Sequence, residues 1–130
     1  MTPAPTFQPG VAIGPLGFVP RDAGDGTATW EYTVDPAHYT TNGVLHGGVL
    51  MALLDTAMGH AVAALVGPQG RFNAAAQFNI TFVLPITSGL VRARAEVKKL
   101  GKRLAVVEAE ATDEDGRVLG IATSTHSILP

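Results

Sequence analysis

Gly43-Val44-Leu45-His46-Gly47-Gly48-Val49-Leu50-Met51-Ala52-Leu53-Leu54-Asp55-Thr56-Ala57-Met58-Gly59-His60-Ala61-Val62 is the stretch on which the fold turns. From His46-Gly47-Gly48 onward it predicts a helix, because Leu, Met and Ala dominate and no proline occurs until Pro68. Its apolar residues (Val49, Leu50, Met51, Leu53, Leu54, Ala57, Met58, Ala61, Val62, Ala64 and Leu65) form no stripe. They cover nearly the whole circumference, which is the pattern of a helix buried all round. One carboxylate, Asp55, stands in the middle. An unpaired carboxylate in an apolar setting is costly or shifts its pKa, so Asp55 is the first candidate for chemistry.

The run approaches the roughly 20 residues that span a bilayer. A membrane span would nevertheless hold Asp55, Gly59 and His60, with no aromatic belt and no flanking basic cluster. The expectation is a helix wrapped by a sheet, with no membrane partner.

Outward from the helix, Thr27–Val34 is rich in β-branched and aromatic residues and predicts a strand, followed by a loop over 35–43 punctuated by Asp-Pro and Asn-Gly. The helix ends near Gly67-Pro68-Gln69-Gly70. Four strands follow: Phe72–Leu84, Leu90–Leu100, Leu104–Thr112 and Val118–Leu129. Leu90–Leu100 alternates cleanly, with Val91, Ala93, Ala95 and Val97 on one face and Arg92, Arg94, Glu96 and Lys98 on the other. The turns between the later strands are short, so those neighbours are antiparallel. Residues 1–20, with five prolines, are expected to be an irregular lead-in with at most one short helical turn. The whole, 1–130, reads as a single α+β domain in which an antiparallel sheet of five to six strands curls around one long helix. Such a sheet leaves long edge strands, and joining two copies edge to edge removes them. A homodimer at minimum is expected, with a dimer of dimers beyond it.

Composition narrows the function. Formal net charge is −2 with no long run of either sign, which points away from nucleic acid. There is no cysteine, hence no disulfide framework and no thiolate ligand or nucleophile. Met1-Thr2-Pro3-Ala4-Pro5 lacks the basic and apolar regions of a signal peptide, so a cytoplasmic protein is expected. No phosphate loop or nucleophile elbow is present, and the spacing of His46, Asp55 and His60 fits no metal-binding helix motif, so no metal or cofactor is expected.

The chemistry then falls to the helix. Its first amides have no internal partners and carry the positive end of its dipole. Glycines at 47 and 48 would let a carbonyl oxygen approach a bare amide, the geometry of an oxyanion hole. Asp55 is the carboxylate available as nucleophile or general base, and together they suggest acyl transfer. Eight residues of helix put Gly47 and Asp55 roughly 12 Å apart at 1.5 Å per residue, too far for one reacting carbon. If both are catalytic they come from different subunits, with two long helices antiparallel at the interface. Each has a plainer reading: the glycines as a close-packing site, Asp55 as a structural carboxylate, His46 as an N-cap and His60 as packing. His38 and His126 are isolated and take no role.

Gly43-Val44-Leu45-His46-Gly47-Gly48, then Asp55-Thr56-Ala57, then Asn79-Ile80-Thr81-Phe82 with Pro85, then Gly101-Lys102, resembles the hotdog-fold acyl-CoA thioesterases, the phenylacetate-pathway and 4-hydroxybenzoyl-CoA thioesterase group above all. The likeness covers about Thr27 to Leu129. It implies hydrolysis of small aryl- or acyl-CoA thioesters, without metal or redox cofactor, in dimers that pair into homotetramers. It implies catalytic roles for Asp55, for the Gly47 amide of the other subunit and for His46 beside it. It places substrate contacts at Asn42, Gly48, Thr56, Met58 and Gly59, and CoA contacts at Gly101, Lys102 and Arg103, where two cations on a glycine turn suit phosphate oxygens. Met51, Leu54, Met58 and the surroundings of Phe78 are expected to line the acyl pocket. Two positions depart from the family: Thr40 stands where an Asn is usual, and Ala75 where a Ser or Thr can hold water. Asn42 or Thr56 are the candidates to replace them. The rival readings are a non-catalytic acyl-CoA sensor and a hotdog dehydratase.

Overall fold

The computed structural model of the protein describes residues 14–130. Most of the irregular lead-in thus lies outside the described residues, apart from a short 3-10 turn at Gly14–Leu16. Six strands and one long helix follow: β1 (Val19–Gly24), β2 (Thr27–Thr33), α1 (Gly47–Val66), β3 (Phe72–Phe82), β4 (Leu90–Leu100), β5 (Leu104–Thr112) and β6 (Val118–Leu129). They make one antiparallel sheet in the order β1-β2-β4-β5-β6-β3. The chain leaves the sheet after β2, runs through α1 across its concave face, and re-enters at the far edge as β3. One helix held in the curl of an antiparallel sheet is the expected hotdog arrangement.

The expected lead-in needs correcting at its end, because Val19 and Pro20 open β1. Val-Pro-Arg-Asp-Ala-Gly has little strand propensity and no apolar alternation. Its ladder to β2 makes it a strand, and Pro20 is tolerated because the strand lies on an edge.

The core forms where large helix residues meet small sheet residues. Leu50, Leu53, Leu54, Met58, Val62 and Val66 of α1 are buried against Ala28, Ala93, Ala95, Ala105, Ala111 and Ala122 of the strands. Alanines on the concave face let the helix settle close to the sheet, while Trp30 and Tyr32 fill the end layers. The opposite face carries the charged half of the alternation, where Glu31 is held between Arg21 and Arg92.

The helix is not buried all round. Gly48, Met51 and Asp55 are exposed, with Ala52, Thr56 and Gly59 half-covered beside them, so a lengthwise face of α1 stays open. Beside it runs β3, antiparallel to the helix axis. Asn73 at the start of β3 donates to the Gly59 carbonyl at 3.2 Å, and Phe82 at its end packs on Gly47. Among the described residues β3 pairs only with β6, and its other edge has no partner there.

Candidate active site

The start of α1 is shaped by His46. This residue sits at the N-cap in an extended conformation (φ −60°, ψ 129°), and its Nδ1 accepts the Gly48 amide at 2.8 Å. Its carbonyl accepts the Val49 amide at 2.9 Å. Of the three leading amides of the helix, Gly47 N–H is then the one without a partner among the described residues. A neutral His46 ring that accepts at Nδ1 carries its proton on Nε2, which makes that atom a second donor beside the free amide.

The loop before the helix is tied down at several points. The His46 amide donates to the His38 carbonyl at 2.9 Å, and Leu45 donates to Ile86 O at 2.8 Å. The Tyr32 hydroxyl accepts from the Asp35 amide at 3.0 Å and shares a hydrogen bond of 2.6 Å with His38 Nδ1. His38, given no role from sequence, therefore anchors the loop that presents His46. Gly47 packs directly under the Phe82 ring: a Cβ there would lie 3.0 Å from two ring atoms. A cavity of about 360 Å³ opens beside Gly47, lined mainly by apolar side chains such as Val44, Leu50, Phe82 and Leu84.

Asp55 lies on the open face of α1, two turns on. Partial loss of hydration at the helix surface pushes its carboxyl above the ordinary carboxylate value, against an opposing pull from His126. The Thr56 hydroxyl donates back to Ala52 O at 2.7 Å, which leaves its oxygen lone pairs as acceptors next to Asp55. Gly59, one turn further, has its carbonyl held by Asn73.

Not every expected contact reaches this face. Met58 and Leu54 are fully buried in the core, the former beneath Ser124, so neither lines an open pocket. Met51 is exposed on the face itself, whereas Asn42 is exposed in the preceding loop. Gly101-Lys102-Arg103 forms the β4–β5 turn, closed by Gly101 N–H to Leu104 O at 2.8 Å. Arg71, which sequence reasoning passed over, joins it by donating from Nη2 to Lys102 O at 2.8 Å. Since the Arg71 amide bonds Val66 O, this basic turn sits at the C-terminal end of α1, the end away from Gly47. His60 is a packing residue on another side of the helix, where its Nδ1 accepts Trp30 Nε1–H at 2.9 Å. Among the described residues, no group of three or more His, Cys, Asp or Glu side chains could hold a metal.

The arrangement offers, on one open groove, a bare amide with an apolar cavity at one end and a carboxylate at the middle. Comparisons with known proteins identify the family. Residues 42–119 match the model of the thioesterase superfamily. The proofreading thioesterase EntH of Klebsiella pneumoniae is 30% identical over 105 residues, covering 81% of this chain and 76% of its own. Among solved structures, a conserved protein from Pseudomonas aeruginosa superposes with a TM-score of 0.88 at 29% identity, over 92% of this chain and 94% of that one. A thioesterase from Haemophilus influenzae superposes with a TM-score of 0.85 at 26% identity, over 97% and 93%.

Proposed function

The chain belongs to the thioesterase superfamily, and on that premise we propose that it hydrolyses small aryl- or acyl-CoA thioesters in a site built from two copies of itself. The observation that carries the reading is the pairing on one open helix face of an unpartnered Gly47 amide with Asp55. Eight residues of helix, roughly 12 Å, separate them, so neither completes a site within its own protomer.

A twofold axis crossing α1 near Met51, halfway between the two, brings each Asp55 opposite the partner's Gly47. The unpaired edge of β3 supports this. It runs alongside the helix from Asn73 at Gly59 to Phe82 at Gly47, so the same axis crosses it close to Asn79 and two β3 strands meet antiparallel. Pairing there satisfies both edges at once. It also covers Met51, Phe82, Val83 and Leu84, each at least 39% exposed in the single chain. Dimers of this kind pair in turn into a homotetramer.

The steps use this chain's own groups. The thioester carbonyl oxygen lies at the partner's Gly47 amide, with the His46 Nε2–H as second donor, and the acyl group enters the apolar cavity beside it. Asp55 takes a proton from water, and the water oxygen bonds to the carbonyl carbon. The oxyanion formed is held by donors already in place, which is the main source of rate in such sites. The C–S bond then breaks, and the proton on Asp55 passes to the departing CoA sulfur. Direct attack by Asp55 would use the same pair of groups. Gly48, Thr56 and Gly59 rim the groove, and the Gly101–Arg103 turn with Arg71 takes the CoA phosphates. We place this activity in the cytoplasm and in the degradation of aromatic acids.

Release of free thiol from a panel that includes phenylacetyl-CoA and benzoyl-CoA tests the proposal. Turnover by the wild type and at least a ~100-fold loss in Asp55→Ala are expected. Binding without thiol release would leave a sensor, and alkene absorbance without thiol a dehydratase.

A further inference from the structure

The reaction above makes no use of Tyr32, which is 2% exposed near the end of β2. Its ring packs as a core phenylalanine would, edge-on to Phe18 with centroids 5.6 Å apart. The hydroxyl is directed instead at the loop that leads to α1. It accepts the Asp35 amide at 3.0 Å and hydrogen-bonds His38 Nδ1 at 2.6 Å, and the two rings stack with centroids 5.8 Å apart and 28° between their planes. A phenol oxygen can both donate and accept, so it serves His38 in either tautomer. Asp35 and His38 are the two ends of one short 3-10 turn. Asp35 caps it, its side chain accepting the Ala37 amide and its carbonyl the His38 amide, each at 2.9 Å. One buried oxygen therefore holds the turn at both ends.

The other side of that turn reaches the oxyanion donors. The His38 carbonyl accepts the His46 amide at 2.9 Å, the hydrogen bond that amide makes among the described residues. His46 in turn caps Gly48 through Nδ1 and holds the Val49 amide with its carbonyl. The remaining ties of the loop lie elsewhere: Leu45 to Ile86, Thr40 to Val44 and the Tyr39 hydroxyl to Thr87 O. None of them touches His46. Its conformation decides where Nε2–H points and leaves the Gly47 amide bare, and from outside the helix that conformation is held at the His38 carbonyl.

From this geometry we propose that Tyr32 is a positioning residue for the oxyanion hole, its hydroxyl fixing His46 and the Gly47 amide through the Asp35–His38 turn. The inference rests on the thioesterase reading for what those donors do, and on the hydrogen bonds alone for the link between them and Tyr32. Preorganised donors are effective only where the charge develops, and surface loops are ordinarily mobile. A tether from the core to the start of α1 removes that freedom where it would cost rate.

Tyr32→Phe keeps the packed ring and removes only the hydroxyl. With phenylacetyl-CoA or benzoyl-CoA, kcat should fall about 10–100-fold with KM nearly unchanged, as expected when donors are displaced rather than deleted. His38→Ala should show the same split. His38→Asn returns a polar atom close to the place of Nδ1 without the ring, and should recover most of kcat. A loss in His38→Asn equal to that in His38→Ala would assign the effect to ring packing and overturn the proposal. In a Gly47→Pro background, where the amide donor is already gone, Tyr32→Phe should cost less than it does in the wild type, and an equal cost overturns the link. A second arm needs no turnover. Amide hydrogen exchange at His46 should quicken at least about tenfold in Tyr32→Phe and in His38→Ala, while the Leu45 amide, tied to Ile86, keeps its rate. Unmoved exchange at His46 overturns the proposal, as does a Tyr32→Phe kcat within about twofold of wild type or a loss that falls on KM. Absence of thiol release in the wild type, with exchange at His46 still quickened, would count against the thioesterase reading alone.

Discussion

Replacing Gly47 by proline deletes one hydrogen atom from the site while keeping the helix. Proline is well accommodated at the first position of a helix, where its missing N–H bonds nothing within the helix. His46 already holds the extended conformation that the residue before proline prefers. The new ring would press on Phe82, since a Cβ at Gly47 stands 3.0 Å from two of its ring atoms, so the dimerisation of the variant is measured alongside its rate. His46 Nδ1 still caps Gly48. The chemical change is therefore the loss of the oxyanion donor, and kcat should fall about 10²–10³-fold, or ~3–4 kcal/mol of transition-state stabilisation. KM should change little.

The same variant settles which subunit supplies the amide. Gly47→Pro and Asp55→Asn chains, each nearly inactive alone, are mixed in equal amounts, unfolded and refolded together. In the twofold arrangement a mixed dimer has one site with both groups intact and one with neither. Half the dimers are mixed, so about one quarter of wild-type activity should return. If amide and carboxylate acted within one protomer, no mixed dimer would hold an intact pair, and activity would stay at the level of the parents. That outcome, or a Gly47→Pro enzyme within about tenfold of wild type, refutes the reasoning.

Two other outcomes follow from the same structure. Lys102→Glu with Arg103→Glu should raise KM for CoA esters and weaken its dependence on salt with kcat nearly unchanged, whereas a short pantetheine thioester without phosphates should be indifferent to the change. Glu31, held well below the usual carboxylate value first by Arg21 and then by Arg92, contributes stability that is present above its unfolded pKa and lost as pH falls through its folded one. Glu31→Gln should cost about 1 kcal/mol at neutral pH, modest because both arginines are more than half exposed, and the difference from wild type should close in acid, as followed by urea unfolding.

The later strands were legible because local rules and tertiary packing agree there. In β4, Val91, Ala93 and Ala95 are buried while Arg92, Arg94 and Glu96 are not, as the alternation requires. β1 was not legible, since Val19–Gly24 owes its conformation to β2 rather than to its own residues. A buried hydrogen-bonded set was hidden for a related reason. Asn73, Ser124 and His126 are more than fifty residues apart at the extremes, and only the β3–β6 register, which also sets Ala75 opposite His126, brings them together.

The helix is the instructive case. Its apolar residues cover the whole circumference, yet a face of it, from Gly48 through Asp55 to Gly59, is left uncovered by its own chain. Residues such as Val49, Met51 and Ala52 gain nothing from being apolar in water, and the hydrophobic pattern of a helix records its surroundings in the working assembly. The mismatch between a helix written for full burial and a sheet that covers only part of it is therefore an argument for a second copy, independent of the reaction. It is the same face that carries Asp55, flanks the unpaired edge of β3 and begins at the free amide of Gly47. Whatever covers Met51 must come within reach of Asp55, and a twin helix running the other way would arrive there with its Gly47 leading.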